Sequence, residues 1–434
     1  MASILIQGAT ILTMAGPDHE IKDGELAIEG DRIISVGPRG SHPANYRIDR
    51  VINGSGMAVL PGLVNCHTHA AMTLMRSYAD DMPLMKWLSE KIWPVEDKLE
   101  PEDIYWGTML CCLEMIKSGT TTFADMYFFM DQAAAAVEES GLRACLSRGM
   151  IGSAPNAGQA LEESIRLIKE WHGRAGGRIK VMLGPHAPYT CPPDYLSRVV
   201  KAAGENQVGI HIHVAETLDE IEQIKSSYGQ TPVGYLHQAG LFDLPVLAAH
   251  CVHLDEADIE IFANNKVGVA HCPESNMKLA SGIAPVVRLL EAGINVGLGT
   301  DGAASNNNLD LLEEMNCAAL LQKVATGNPT VMPAFTALEL ATAGGAKTLG
   351  LDDEIGILEA GMKADMILVN LGRPHFYPAH NLIANLVYSS SSADVDTVIV
   401  DGKVIMEGRR VLTMDEEKVM WESQKRADQL FSKV

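Results

Sequence analysis

The 434-residue chain carries 34 basic and 55 acidic side chains, a formal net charge of -21, and is 47% hydrophobic. So acidic a chain repels nucleic acid and anionic membrane surfaces, and no uninterrupted apolar run reaches the length of a membrane span. Its expected partners are therefore small molecules or further copies of itself. Eight cysteines without CxxC spacing suit reduced, mostly buried thiols better than a disulfide framework or a structural zinc site. With an N-terminus that lacks a basic n-region, they point to the cytoplasm.

In chain order, residues 3–14, 24–36 and 48–60 carry short alternating runs broken by Gly, Asp and Asn, the pattern of strands. From about Leu60 to about Gly361 the rhythm changes. Eight apolar β-like runs, at 57–69, 119–126, 143–151, 180–187, 209–216, 246–254, 267–273 and 294–301, alternate with amphipathic helical stretches. Eight such units over a length near the ~250 residues usual for the fold predict a (β/α)8 barrel. Strand patterns return at 364–371 and 395–412, the latter with the tight turn Asp401-Gly402. Neither flank has enough strands to cover its own apolar face, so the two are expected to combine into one small antiparallel β-domain. The predicted organisation is a composite β-sandwich from 1–59 and 362–412, a barrel over 60–361, and a C-terminal helix within 413–434.

The polar residues of the barrel fall at the C-terminal ends of its predicted strands, where barrel enzymes keep their chemistry. His67 and His69 end the first strand, and their i, i+2 spacing turns both imidazoles to the lumen. His213 ends the fifth strand, and Asp301 the eighth, which neighbours the first in a closed barrel. Three imidazoles and a carboxylate suit one divalent ion, Zn²⁺ or Fe²⁺, with water completing the shell. Such an ion brings the pKa of a water from ~15.7 toward ~7. Glu216, three residues beyond His213, can approach that water without being a ligand. His211 alternates with His213 one layer deeper and is expected to pack or to support a ligand. Structural roles are expected for His253 and His271, and barrel-wall packing for Cys66 and Cys251.

The strings PGLVNCHTH, HVAET, AAHCVHL, HCPESNMKL, LGTDG and GMKADMILV resemble the amidohydrolase superfamily and cover nearly the whole chain. Within it, HTHAAMTLMRSYADDMPLMKWLSEKIWPVE and GPHAPYTC are similar to the 5'-methylthioadenosine/S-adenosylhomocysteine deaminases. The resemblance implies a mononuclear site, since the bridging lysine of binuclear relatives is missing. It also implies hydrolytic deamination of an adenine nucleoside and a homo-oligomer, dimer or tetramer. In the roles it implies, Glu216 protonates the purine ring nitrogen and helps the amine depart. Asp301, besides ligating, accepts a proton from the attacking water, and His250 hydrogen-bonds the nucleophile and the developing oxyanion. Glu96 accepts from both ribose hydroxyls, and His186 bonds the purine ring. Trp87 either walls the pocket or is plain core. Arg148 either meets the distal part of the nucleoside or forms a structural salt bridge.

Two other readings share these residues. Guanine, cytosine or chloro-triazine hydrolysis would use the same metal cluster with a different pocket, and Glu96 and His186 discriminate against it, since those substrates lack a ribose. A metal-free scaffold or regulatory protein is opposed by the intact set His67, His69, His213, Glu216 and Asp301.

Overall fold

The structure, a computed structural model, describes residues 3–16 and 20–434. Residues 1, 2 and 17–19, part of the expected N-terminal β-segment and including His19, lie outside the described residues. Gly62 divides the long apolar run 57–69 in two. A Cβ there would sit 2.1 Å from Thr121 Oγ1, and the chain uses this close approach to pass from one sheet to another.

Before Gly62 come β1 (Ser3–Leu12), β2 (Glu20–Glu29), β3 (Arg32–Pro38), β4 (Arg50–Asn53) and β5 (Met57–Pro61). After it, the barrel strands are β6 (Leu63–Thr68), β7 (Thr120–Tyr127), β8 (Arg143–Met150), β9 (Ile179–Pro185), β10 (Ile210–Val214), β11 (Val246–His250), β12 (Gly268–His271) and β13 (Val296–Leu298). The chain then returns with β14 (Met366–Asn370), β15 (Val395–Val400), β16 (Lys403–Glu407) and β17 (Arg410–Val411).

The eight strands β6–β13 pair in sequence order, all parallel. Nearly all their residues are buried, as a parallel sheet covered on both faces requires. Side chains help close the seam between β13 and β6. Asn65 Oδ1 accepts the Thr300 N–H at 3.2 Å, and its Nδ2 donates to Thr300 Oγ1 at 2.7 Å. The Asp301 N–H adds a bond of 2.9 Å to the His67 carbonyl.

The terminal strands make one nine-stranded sheet, ordered β17-β16-β15-β14-β5-β1-β2-β3 with β4 on β1. Its apolar core includes Ile6, Ile11, Leu26, Val59, Met366 and Ile399. The sheet is mixed, not purely antiparallel as the flanks suggested. β4 and β5 run parallel to β1, because the β2–β3 hairpin carries the chain out and back before it rejoins β1. The stretches 24–36, 48–60 and 395–412 are broken at their Gly, Asp and Asn positions as expected, by turns at Gly30-Asp31, Gly54–Gly56 and Asp401-Gly402, with a further turn at Gly408-Arg409.

A buried ionic cluster ties this sheet to the N-terminal end of the barrel. Arg143, 0% exposed at the start of β8, donates from Nε and Nη2 to Asp365 at 2.9 and 3.3 Å, and from Nη2 to Asp401 at 3.4 Å. The final helix, Glu416–Phe431, starts on an Asp415 cap that accepts the Lys418 N–H at 3.1 Å. It packs on the helix Pro101–Ser118, where Arg426 Nε meets Asp103 at 2.6 Å.

Candidate active site and metal centre

At the C-terminal rim of the barrel four residues without glycine's freedom hold positive φ: Ala215 at 53°, His250 at 70°, Cys251 at 51° and Asp301 at 58°. Such backbone is costly and persists only where surrounding contacts impose it. Here it turns the chain at the ends of β10, β11 and β13, where Glu216, His250 and Asp301 meet.

Three imidazoles are held by their Nδ1 atoms. The Ser147 hydroxyl donates to the Asp125 carbonyl at 2.8 Å, so it accepts from His211 Nδ1 at 3.0 Å. His211 Nε2 is then left to accept from His67 Nδ1 at 2.8 Å. His69 Nδ1 donates to the Met126 carbonyl at 2.6 Å, and His213 Nδ1 to the His186 carbonyl at 2.7 Å. Each bond fixes a tautomer whose Nε2 lone pair is free. The buried His67 Nε2 has no hydrogen-bond partner among the described residues, and the Nε2 atoms of His69 and His213 face each other at 3.4 Å. Asp301 Oδ1 lies 3.4 Å from His67 Nε2 and 3.3 Å from His69 Nε2.

Electrostatics agree with a cation site. Burial pushes His67 down to about 4 and His211 and His213 well below the usual histidine range, which keeps them neutral. Burial works against a charged Asp301, yet His67, His69 and His250 hold its carboxyl well below the usual range. The ligand atoms of His67, His69 and His213 lie within 4.8 Å of one another, as do those of His67, His250 and Asp301. Neutral imidazoles with converging Nε2 atoms beside an ionised carboxylate are a donor set that fits a divalent metal ion.

The remaining polar groups surround that point. Asp301 Oδ2 accepts hydroxyl bonds from Ser275 at 2.6 Å and Ser305 at 2.8 Å. Glu216, 8% exposed, has Oε1 3.5 Å from the Ser281 hydroxyl and Oε2 3.9 Å from His250 Nε2, and burial pushes its carboxyl up. His250 Nδ1 donates to Asn276 Oδ1 at 2.9 Å. Burial opposes its charge, but Glu216 and Asp301 raise its pKa overall.

These groups lie at the base of a cavity whose lining also includes Trp87, Glu96, Tyr127 and His186, the mix of apolar walls and a few polar groups typical of a small-molecule site. Trp87 is 5% exposed and donates from Nε1 to the Ala79 carbonyl at 3.0 Å, so one edge is anchored while it lines the space. Glu96 is pushed up to about 7 by burial. The buried Tyr127 hydroxyl has no hydrogen-bond partner among the described residues, and burial together with the Glu96 carboxyl raises its pKa well above the usual range. Burial lowers His186 to about 4. Its Nδ1 meets Thr190 Oγ1 at 3.1 Å.

Eight of the ten residues expected at the site line this cavity; His67 lies fully buried behind it against Asp301, and Arg148 stands apart. It faces an outer pocket that shares Glu96 and Phe128 with the central one. There its Nε is paired with Glu163 at 3.0 Å. His253 and His271 do not line the cavity. Sequence reasoning missed Asn65, Ser147, Ser275, Ser305, Asn276, Tyr127 and Glu220. Tyr127 carried a usable signal, because it directly follows the predicted barrel run 119–126, at the rim where the histidines stand. The serines and asparagines carried none, since such residues are common in turns.

Residues 58–405 match the amidohydrolase family. The chain is 69% identical to the 5-methylthioadenosine/S-adenosylhomocysteine deaminase of Pelotomaculum thermopropionicum over 433 residues, covering 100% of both chains. It is 58% identical to the protein of that name from Moorella thermoacetica, over 98% of this chain and 99% of the relative. Among solved structures it is similar to a zinc-bound adenosine deaminase from Xanthomonas campestris, with TM-score 0.96, 35% identity and 99% of both chains covered. It is also similar to a zinc-complexed atrazine chlorohydrolase from Arthrobacter aurescens, with TM-score 0.91, 28% identity, and 98% and 100% of the two chains covered.

Proposed function

The chain belongs to the amidohydrolase family and, within it, to the 5-methylthioadenosine/S-adenosylhomocysteine deaminases, and from that premise we propose how its cavity works. The reaction is hydrolytic: water adds to the adenine carbon that bears the amino group, ammonia leaves, and an inosine-type product remains. Guanine, cytosine or triazine hydrolysis falls away, since relatives named as nucleoside deaminases match at 55–69% identity. The observation that carries the reading is the convergence of three Nε2 lone pairs and the Asp301 carboxylate beside Glu216, on the floor of one cavity.

His67, His69, His213 and Asp301 would hold the ion. We assign it as a single zinc, in keeping with the zinc of the two similar solved structures. When bound, it supplies Lewis acidity that brings the ionisation of water into the neutral range. Asp301 takes the proton that the water loses, with the Ser275 and Ser305 hydroxyls steadying its other oxygen. Glu216, whose proton affinity burial raises, gives its proton to the ring nitrogen and carries one to the departing amine. His250, oriented by Asn276, donates to the oxygen as it adds to the ring. Glu96 accepts the two ribose hydroxyls, His186 bonds the purine, and Trp87 covers its face. Arg148 serves the distal substituent from the outer pocket, exchanging part of its pairing with Glu163 for that contact.

No helix among the described residues is long and apolar enough to cross a membrane, and the cysteines are unpaired. Both observations support a cytoplasmic enzyme, which we further take to be a homo-oligomer. The deciding experiment is a screen of adenine nucleosides for ammonia release and absorbance change. Methylthioadenosine and S-adenosylhomocysteine should turn over and free bases should not. A preference for guanine, cytosine or a triazine would overturn the reading.

A further inference from the structure

Glu216 leaves the barrel on a segment that a second glutamate holds. Glu220 lies in the first turn of the helix Leu218–Tyr228, is 3% exposed, and does not line the cavity. Its Oε1 accepts the Ala215 N–H and its Oε2 the Glu216 N–H, both at 2.9 Å. Its own N–H reaches the Thr217 hydroxyl oxygen at 3.3 Å, so the helix start that carries Glu220 is itself capped.

The other side of the segment is held as firmly. The Ala215 carbonyl accepts the N–H groups of Val252 and His253 at 3.0 and 2.9 Å, and the Val214 carbonyl that of Cys251 at 3.0 Å. Ala215, with φ of 53°, is thus fixed in the left-handed region by partners on two elements. The two amides that point away from β11 need two acceptor oxygens side by side, and a carboxylate supplies them. An amide side chain supplies one oxygen and sets an NH₂ group against the other N–H.

We propose that Glu220 is a positioning residue for deamination: by accepting both amides it fixes the backbone from which the Glu216 carboxyl is aimed at the substrate ring. Glu220 itself moves no proton and touches no substrate. Proton transfer is sensitive to such aim, since a displacement of about 1 Å can cost on the order of a hundredfold in rate. The inference rests on the reading of Glu216 as the proton carrier.

The test is a double-mutant cycle on the metal-loaded enzyme, with metal content, thermal midpoint, kcat and KM measured for each protein. Glu220→Gln should lower kcat by about ten- to a hundredfold, with KM and metal content within about twofold of the parent. In a Glu216→Gln background the same change should cost nothing further, because there is no longer a proton carrier to aim. Glu220→Asp keeps the charge but draws it back by one methylene. It should fall between the parent and Glu220→Gln, and it stands in for the latter in the cycle if that variant does not fold. Unchanged kcat in Glu220→Gln, or an equal further loss in the Glu216→Gln background, would overturn the proposal while leaving Glu216 in its role. Near-normal turnover of the single variant Glu216→Gln would overturn that role, and the proposal with it.

Discussion

The Nε2 atoms of His69 and His213 stand 3.4 Å apart, and each ring already donates through Nδ1 to a backbone carbonyl. Two lone pairs in that position repel unless a cation or a proton lies between them, and burial disfavours a proton on His213. The purified protein should therefore bind about one tight divalent ion per chain. Chelation should abolish turnover and lower the thermal midpoint, and one equivalent of zinc should restore both. Two stoichiometric ions, or full activity after thorough chelation, would contradict this.

His211 should matter for the metal without touching it. Its Nε2 is the acceptor that fixes the His67 tautomer, and loss of such a support typically weakens metal affinity about 10- to 100-fold. His211→Phe keeps much of the volume and removes the acceptor. Competition with a graded series of chelators should reveal that weakening, while zinc in large excess restores much of the activity. Unaltered affinity would mean that His211 only packs.

Glu216→Gln should keep the bound metal and the affinity for substrate and lose at least the ~10²–10⁴ in kcat usual for general acid–base catalysis. The amide preserves size but carries no transferable proton. Metal analysis alongside steady-state kinetics separates this outcome from simple loss of the site.

Glu96 supplies a pH dependence with a definite sign. With its pKa pushed up to about 7, the carboxyl is protonated below that pH and can no longer accept from both ribose hydroxyls. For a nucleoside, kcat/KM should therefore fall as pH falls through about 7. Stability moves the other way. Between 4.5 and about 7 the unfolded chain ionises this group while the folded protein does not, so rising pH erodes stability across that window. Glu96→Gln should make both slopes shallower. It should also cost roughly ten- to a hundredfold in kcat/KM for nucleosides and little further for 2',3'-dideoxyadenosine. Equal handling of the dideoxy compound by the native enzyme would remove Glu96 from the ribose.

Arg143 makes a prediction about the opposite end of the barrel. Replacing it with Met leaves Asp365, 3% exposed, without its guanidinium, and breaking a buried pair from one side costs about 3–5 kcal/mol. Denaturant unfolding should show a loss of that order, with kcat at 25 °C nearly unchanged. A second change, Asp365→Leu, should recover part of it by removing the stranded charge.

Much of this was legible in the chain, for a physical reason. Metal ligands on a barrel sit at strand ends, and strand ends are marked by the step from apolar runs to Gly, Pro and polar residues. His67, His213 and Asp301 could be placed from those steps alone. The substrate side was harder. Glu96 and Trp87 ride on the long excursion between β6 and β7, whose path depends on packing and leaves no periodic trace, and they were reached only by resemblance. The tautomer-setting chain from Asp125 through Ser147 and His211 to His67 joins four strands' worth of sequence separation. No local pattern announces it. The mixed sheet was misread as antiparallel because alternation reports which face is buried and says nothing of the direction of the neighbouring strand.

The place of β5 in that sheet has a consequence for synthesis on the ribosome. It lies between β1 and β14, and its pairing with β14, Met366 opposite Pro61 through Asn370 opposite Met57, spans some three hundred positions of chain. One edge of β5, buried in the finished protein, must wait unpaired while the entire barrel emerges. Open apolar edges of this kind invite pairing with other chains. A nascent chain stalled before Met366 thus exposes a sticky seam beside the hinge from which β6, with His67, departs, and β14, some three hundred positions later, seals it.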